Sequence, residues 1–196
     1  MSKINLEKAL EKESADFQGQ VIILRPAFIY GPGNFSVWHE ALRLVRDRKM
    51  LLIGDGDAPL PLIYAEDLAR FVSQLLNEPS LKSSFDIYVV ASSEPTTMKQ
   101  IFYFIADYLH VKRPRAIPGW PLSLAAFALS FFPEKLKFGR CKLLTKARLS
   151  QYSKGYDLSG LMTPSPLGFV ASTNFREGLS KMLDDYKKST ALFEQA

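Results

Sequence analysis

Apolar positions along this chain recur with two periods, and the places where one period gives way to the other predict its elements. From Ser2 to Phe17, the residues Ile4, Leu6, Ala9, Leu10 and Phe17 fall loosely at helical spacing with charges between them, which predicts an amphipathic helix. Gly19 separates that helix from Val21-Ile22-Ile23-Leu24, an unbroken apolar run. Such a run suits a parallel strand covered by helices on both faces, since neither face then meets water. It breaks into Arg25-Pro26-Ala27-Phe28-Ile29-Tyr30 and the turn sequence Gly31-Pro32-Gly33-Asn34.

Helical spacing returns with Trp38, Ala41, Leu42 and Val45, giving a second helix to about Arg48. Met50 to Ile53 and Leu60 to Tyr64 read as short strands joined by the turn residues Gly54-Asp55-Gly56-Asp57. A helix from about Glu66 to Leu76 turns Leu68, Phe71, Val72, Leu75 and Leu76 inward, and Phe85 to Ala91 is a further strand. Thr97-Met98-Lys99-Gln100 is a capping box that starts a helix ending near His110. Pro118 to Phe132 predicts a short apolar helix entered through Pro121, Leu143 to Leu149 another, and Asn174-Phe175-Arg176-Glu177 opens a last helix to about Lys188. Strands alternating with helices argue an α/β fold.

Composition narrows the function classes. The chain has 196 residues, 47% of them hydrophobic, enough for a buried core. Cys141 stands alone, and His39 and His110 are far apart with no ligand spacing around them, so no metal site and no internal disulfide are expected, and a reducing, cytoplasmic setting fits. Trp120 to Phe132 is shorter than the roughly 20 apolar residues of a spanning helix. The net charge of +5 gathers in Lys112-Arg113-Pro114-Arg115 and between Lys135 and Lys154. Without interleaved stacking aromatics this does not point to nucleic acid, and reads as a solvated basic face or as the surroundings of an anionic phosphate. Glu66 and Asp67 sit where carboxylates favourably meet helix N–H groups and the helix dipole.

Four pieces, taken in order, carry a resemblance. They are Ser2-Lys3 with Glu7; Leu24-Arg25-Pro26 leading to Tyr30-Gly31-Pro32-Gly33; Gly54-Asp55-Gly56 followed by Ile63-Tyr64-Ala65-Glu66-Asp67-Leu68-Ala69; and Leu167-Gly168-Phe169 with Glu177-Gly178-Leu179. Together they resemble the extended short-chain dehydrogenases, the NAD-dependent epimerase/dehydratase group, and within it the 3β-hydroxysteroid dehydrogenase-like branch. The resemblance implies the carboxyl-terminal part of a Rossmann-type parallel sheet plus a small mixed substrate-binding subdomain. Residues 1–110 would supply the sheet, 111–188 the mainly helical subdomain, and 189–196 a tail.

The same resemblance implies NAD or NADP as cofactor and assigns residues. Lys3 matches the Lys of a Tyr-x-x-x-Lys motif, where it lowers the phenol's pKa and holds the nicotinamide ribose; the Tyr itself would fall before Met1. Lys3, Pro26, Ala27, Phe28 and Ile29 would face the cofactor. Tyr30, Asn34, Phe35, Leu60, Tyr64, Trp120 and Arg140 would face substrate. The sequence has no Gly-x-x-Gly-x-x-Gly turn to seat a pyrophosphate. The expectation is therefore a substrate-binding half, inactive alone, whose partner is the missing amino-terminal half in cis or in trans.

Substrate class turns on two positions. Nucleotide-sugar enzymes of the group usually carry Asn where Phe28 stands and an Arg where Leu60 stands, and Leu60 cannot hold a diphosphate; Arg140 and Lys142 would be the substitutes. An apolar residue at 28 favours a hydrophobic, sterol-like hydroxyl or keto substrate. The residues Trp120, Leu122, Leu124, Phe127, Leu129, Phe131 and Phe132 would line its pocket, touch a membrane surface, or form ordinary core. The alternatives are a nucleotide-sugar epimerase or dehydratase fragment and a non-catalytic ligand-binding relative. A strand left with an open edge also predicts self-association.

Overall fold

A computed structural model describes residues 2–78, 84–93, 96–120, 155–156 and 168–194, apart from the side chains at 35–37 and 190–194. Within these lie α1 (Lys3–Ser14), β1 (Val21–Pro26), β2 (Phe28–Tyr30), α2 (Phe35–Arg46), β3 (Leu51–Ile53), β4 (Leu62–Tyr64), α3 (Ala65–Leu76), β5 (Phe85–Val90), α4 (Met98–Tyr108), β6 (Arg115–Ile117) and α5 (Phe175–Glu194). The strands pair in parallel: β1 with β5, β2 with β4 and β3 with β6. The protein is thus α/β, as the alternation of periods predicts. The predicted helices at Pro118 to Phe132, past Trp120, and at Leu143 to Leu149, together with Arg140, Cys141 and Lys142, fall outside the described residues.

One continuous run, Val21 to Tyr30, serves two sheets. Val21 pairs with Phe85 and Pro26 with Val90, and the Ala27 N–H still donates to Val90 O at 2.8 Å. One residue later the Phe28 N–H donates to Pro61 O at 3.1 Å, and from there β2 takes β4 as its neighbour, Tyr30 opposite Tyr64. Past the end of β5, the Ser92 N–H donates to Leu62 O at 2.7 Å. β4 therefore wedges between the continuations of β1 and β5, and Ala27 is where the chain changes partner.

β4 is wholly buried because both of its faces are covered. Leu62 and Tyr64 point into one cluster with Tyr30, Trp38, Leu42, Ile101, Ile105 and Leu183, contributed by α2, α4 and α5. Ile63, between them, points to the other face with Phe71, Leu75, Tyr88 and Val90, as the two-residue period of a strand requires. α4 starts with the capping box: the Gln100 N–H donates to Thr97 Oγ1 at 3.2 Å, and the Thr97 N–H donates to Gln100 Oε1 at 2.9 Å.

Three elements differ from expectation. β1 is only half-buried: Ile22 and Leu24 reach the second cluster, and α1 packs against the strand. That helix leaves Ile4 and Leu6 largely exposed, as is Phe17 in the segment that follows it. β6 is too short and too charged (Arg115-Ala116-Ile117) to announce itself, and forms because its backbone completes β3. α5 continues past Lys188 to Glu194.

Candidate functional site

In open α/β sheets ligands bind beyond the carboxyl ends of the strands, at the point where strand order changes. Here that point is Ala27, and the turn that follows β2 is held from three sides. Gly31 (φ 143°) and Gly33 (φ 79°) have positive φ, which glycine adopts without a Cβ penalty. A Cβ at Gly31 would in addition come 3.2 Å from the Tyr64 ring. Ile29 O accepts from Asn34 Nδ2 at 2.8 Å and from Trp38 Nε1 at 3.1 Å, tying the turn to β2 and to α2. From α5, the carboxylate of Asp185 accepts the Gly33 N–H at 2.9 Å.

Beneath the turn the Tyr30 and Tyr64 rings lie 5.4 Å apart, both buried. α5 reaches them through Gly178, where a Cβ would sit 2.7 Å from Tyr30 Cε2 and 2.9 Å from Tyr64 Cδ2. The Tyr64 hydroxyl is buried with no hydrogen-bond partner among the described residues. Burial pushes its pKa up, with the Glu66 carboxylate adding to the effect and the Lys181 ammonium opposing it. Tyr64 is consequently a protonated phenol at neutral pH, suited to donating a hydrogen bond and unsuited to acting as a base.

The remaining sequence-predicted residues scatter. Lys3 opens α1, exposed, with no hydrogen bond or ion pair among the described residues, while Glu7 one turn on pairs with Arg25 of β1. Pro26 is exposed at the strand end; Ala27, Phe28 and Ile29 are half-buried. Phe28 meets the Tyr156 ring edge-on at 5.1 Å. Leu60 is buried in the core, its N–H donating to Thr96 O and its O accepting from Thr96 Oγ1 at 2.6 Å. Tyr30 and Tyr64 are likewise packed inside. Trp120 is 71% exposed. The structure thus brings Tyr30, Asn34 and Tyr64 together and leaves Lys3 and Trp120 apart from them. The Phe35 side chain and Arg140 lie outside the described residues.

Two positioning residues escaped the sequence reading. Asp67, buried at the start of α3, accepts the Thr173 N–H at 3.0 Å and pairs with Arg70, which also donates to Ser172 at 3.0 Å. Helix-dipole chemistry explains its placement in the first turn, and the link to 172–173 is a long-range partnership that no local pattern encodes. Gly178 had a signal: a glycine inside a helical pattern costs stability and so has a packing reason.

The described elements define an α/β protein of parallel strand pairs with a glycine turn at the carboxyl end of β2. A family model described as the NAD dependent epimerase/dehydratase family matches residues 1–91. The uncharacterized protein y4nL of Sinorhizobium fredii is 24% identical over 187 residues, which are 93% of this chain and 52% of that protein. Among solved structures, a nucleoside-diphosphate-sugar epimerase from Pseudomonas aeruginosa superposes with a TM-score of 0.64 at 14% identity, over 95% of this chain and 54% of its own. UDP-glucose 4-epimerase of Thermotoga maritima, solved with UDP-glucose, gives 0.61 at 18% identity over 96% and 52%. UDP-glucuronic acid 4-epimerase of Bacillus cereus, in complex with NAD, gives 0.62 at 14% identity over 95% and 50%. The chain spans about half the length of the relatives it matches, and the structural likeness establishes a shared Rossmann-type fold.

Proposed function

We propose that this chain forms the substrate-side portion of an NAD(P)-dependent oxidoreductase or epimerase acting on a hydroxyl or keto group. The observation that carries the reading is the change of strand partner at Ala27, placed directly before a glycine turn that α5 clamps through Asp185 and Gly178. Pro26 to Ile29 would form the wall for the nicotinamide end of the cofactor, a fit supported by an exposed Pro26 and half-buried Ala27 and Phe28 at the strand ends. A pyrophosphate seat is not offered by this sequence. When bound, the cofactor would accept or return a hydride at the substrate carbon. Lys3, exposed at the start of α1, would hold the ribose and lower the pKa of a phenol supplied from outside residues 1–196. Tyr30, Asn34 and Tyr64 would orient substrate, Tyr64 by donating its free hydroxyl once the turn shifts.

Phe28 against Tyr156, and Leu60 where a diphosphate-binding cation would be needed, support a substrate whose bound face is apolar. The second reading is a nucleotide sugar, favoured by the ligands named for the solved relatives. The test pairs this chain with the amino-terminal half of y4nL and follows cofactor reduction with a 3β-hydroxysteroid and formation of the epimeric sugar with UDP-glucose, because an epimerase returns its hydride and leaves no net reduced cofactor. Turnover is expected only in the mixture, with the steroid, and lost in Lys3→Met. Turnover by the chain alone would overturn the shared-site reading, and UDP-glucose as the sole substrate would establish the second one.

A further inference from the structure

At the end of α2 remote from the glycine turn, a cavity of about 310 Å³ opens between that helix, the start of β3 and the segment leading into β6. Its rim carries Arg48, Lys112, Arg113 and Arg115, and its floor is Val45, Met50 and Pro114. No carboxylate lines it among the described residues. Its size falls at the small end of the range for small-molecule sites.

The four cations are not equally committed. Arg113 is held by Asp107 through two hydrogen bonds of 2.8 Å and lies over the Tyr103 ring at 5.1 Å. The side chains of Arg48, Lys112 and Arg115 make no hydrogen bond or ion pair among the described residues, although Asp47 next to Arg48 gathers Arg43, Arg46 and Lys49. Three uncommitted cations thus surround one hollow, a repulsive arrangement that an anion would relieve.

Arg48 carries a second, independent signal. It follows the C-cap of α2 with φ 58°, the left-handed position where helices favour glycine. The Lys49 N–H closes back on Leu44 O at 2.8 Å, so the backbone here is fixed by the helix end. An arginine at such a position sacrifices backbone stability, and a helix-terminating role alone would be served better by glycine.

We propose that this cavity is a binding site for a small organic phosphate, its phosphoryl oxygens on Arg48, Lys112 and Arg115 and its apolar part on Met50 and Pro114. The site is separate from the glycine turn, since α2, 12 residues and so about 18 Å long, lies between them. Arginine suits the oxygens of a phosphoryl group through paired, charge-assisted hydrogen bonds. The assignment does not depend on the proposed dehydrogenase chemistry.

The experiment titrates the full chain with phenyl phosphate and with inorganic phosphate at 0.15 M salt, roughly physiological ionic strength, following amide shifts around 45–51 and 112–116. Wild type is expected to bind phenyl phosphate about tenfold more tightly than inorganic phosphate. Arg48→Gly is expected to fold with an unchanged or higher melting temperature and to lose at least tenfold in affinity, as does Arg115→Gln; Lys181→Gln, on α5, binds as wild type. Equal affinity for the two phosphates would overturn the role given to the apolar floor. Equal binding by wild type, Arg48→Gly and Arg115→Gln, with only heparin retention reduced in the variants, would overturn the site and leave a general polyanion surface.

Discussion

Gly178 on α5 stands so close to Tyr30 that a methyl group there would lie 2.7 Å from the ring and 2.8 Å from its hydroxyl oxygen. With the Asp185 hydrogen bond to Gly33, the contact joins the last helix to the strand end that carries the glycine turn, and it reverses an ordinary rule. In an open helix, Gly→Ala stabilises by roughly 0.5–1 kcal/mol. Here Gly178→Ala overpacks a filled cluster and is expected to destabilise by about 1–3 kcal/mol. Urea unfolding decides it: a midpoint that rises would show that α5 can retreat and that the turn is not clamped from this side.

Tyr64 makes the complementary case. Its hydroxyl is buried without a partner among the described residues, an arrangement that costs about 1–3 kcal/mol. Tyr64→Phe keeps the ring against Tyr30 and removes the orphan oxygen, so stability is expected to rise by about 1 kcal/mol. Loss of stability instead would reveal a hydrogen bond to this oxygen.

Asp67 ties α3 to the segment before α5, accepting the Thr173 N–H and the Arg70 guanidinium while itself almost fully buried. Asp67→Ala leaves the Thr173 amide without its acceptor and is expected to cost about 1–3 kcal/mol. Arg70→Ala, on the half-exposed side of the pair, is expected to cost less. Amide exchange at Thr173 separates local from global effects: it should quicken in Asp67→Ala beyond what the drop in global stability explains.

The elements that were legible in the sequence are those with a local cause. Thr97 and Gln100 cap α4 through their own side chains three residues apart, and the glycines at 31 and 33 mark a turn through their own φ. The candidate site was legible as a segment, Arg25 to Asn34, but not as a three-dimensional contact set. Leu60 was placed at the substrate by its position in a motif, yet packing against Thr96 draws it into the core. The exchange of neighbours at Ala27 leaves no mark in a continuous apolar run, because the strand partners lie 64 positions away for β1 and 34 for β2. Asp67 with Thr173 and Gly178 with Tyr30 are invisible for the same reason.

Tyr108 gives a pH signature. Its hydroxyl donates to the Asp184 carboxylate, which with partial burial pushes the phenol up to about 12 from an ordinary 10.0. The protonated form is the one the fold favours. The stability it contributes is therefore complete below pH about 10, the unfolded value, and is lost as pH rises through about 12. Between those limits wild type should destabilise more steeply than Tyr108→Phe, the difference vanishing in Asp184→Asn. Parallel curves for all three would mean that the hydrogen bond is not maintained in solution, and that Lys187, whose ammonium sits 4.2 Å from the ring, is the partner that holds the phenol in place.

The last prediction concerns β1, which has a strand neighbour on one edge only among the described residues. Successive amides of a parallel strand point to opposite edges. Val21 and Ala27 donate toward the β5 side, so the amides of Ile22 and Leu24 face the other way. α1 exposes Ile4 and Leu6, and a groove of about 480 Å³ runs between Leu10, the exposed Phe17 and Val21 at the start of β1. Edge amides next to exposed apolar surface recruit another chain. Sedimentation is expected to show self-association that weakens in Phe17→Lys, and amide exchange at Ile22 and Leu24 should slow as protein concentration rises while Ile23 stays protected throughout. A monomer with the amides of Ile22, Ile23 and Leu24 equally protected would mean that α1 already shields the edge.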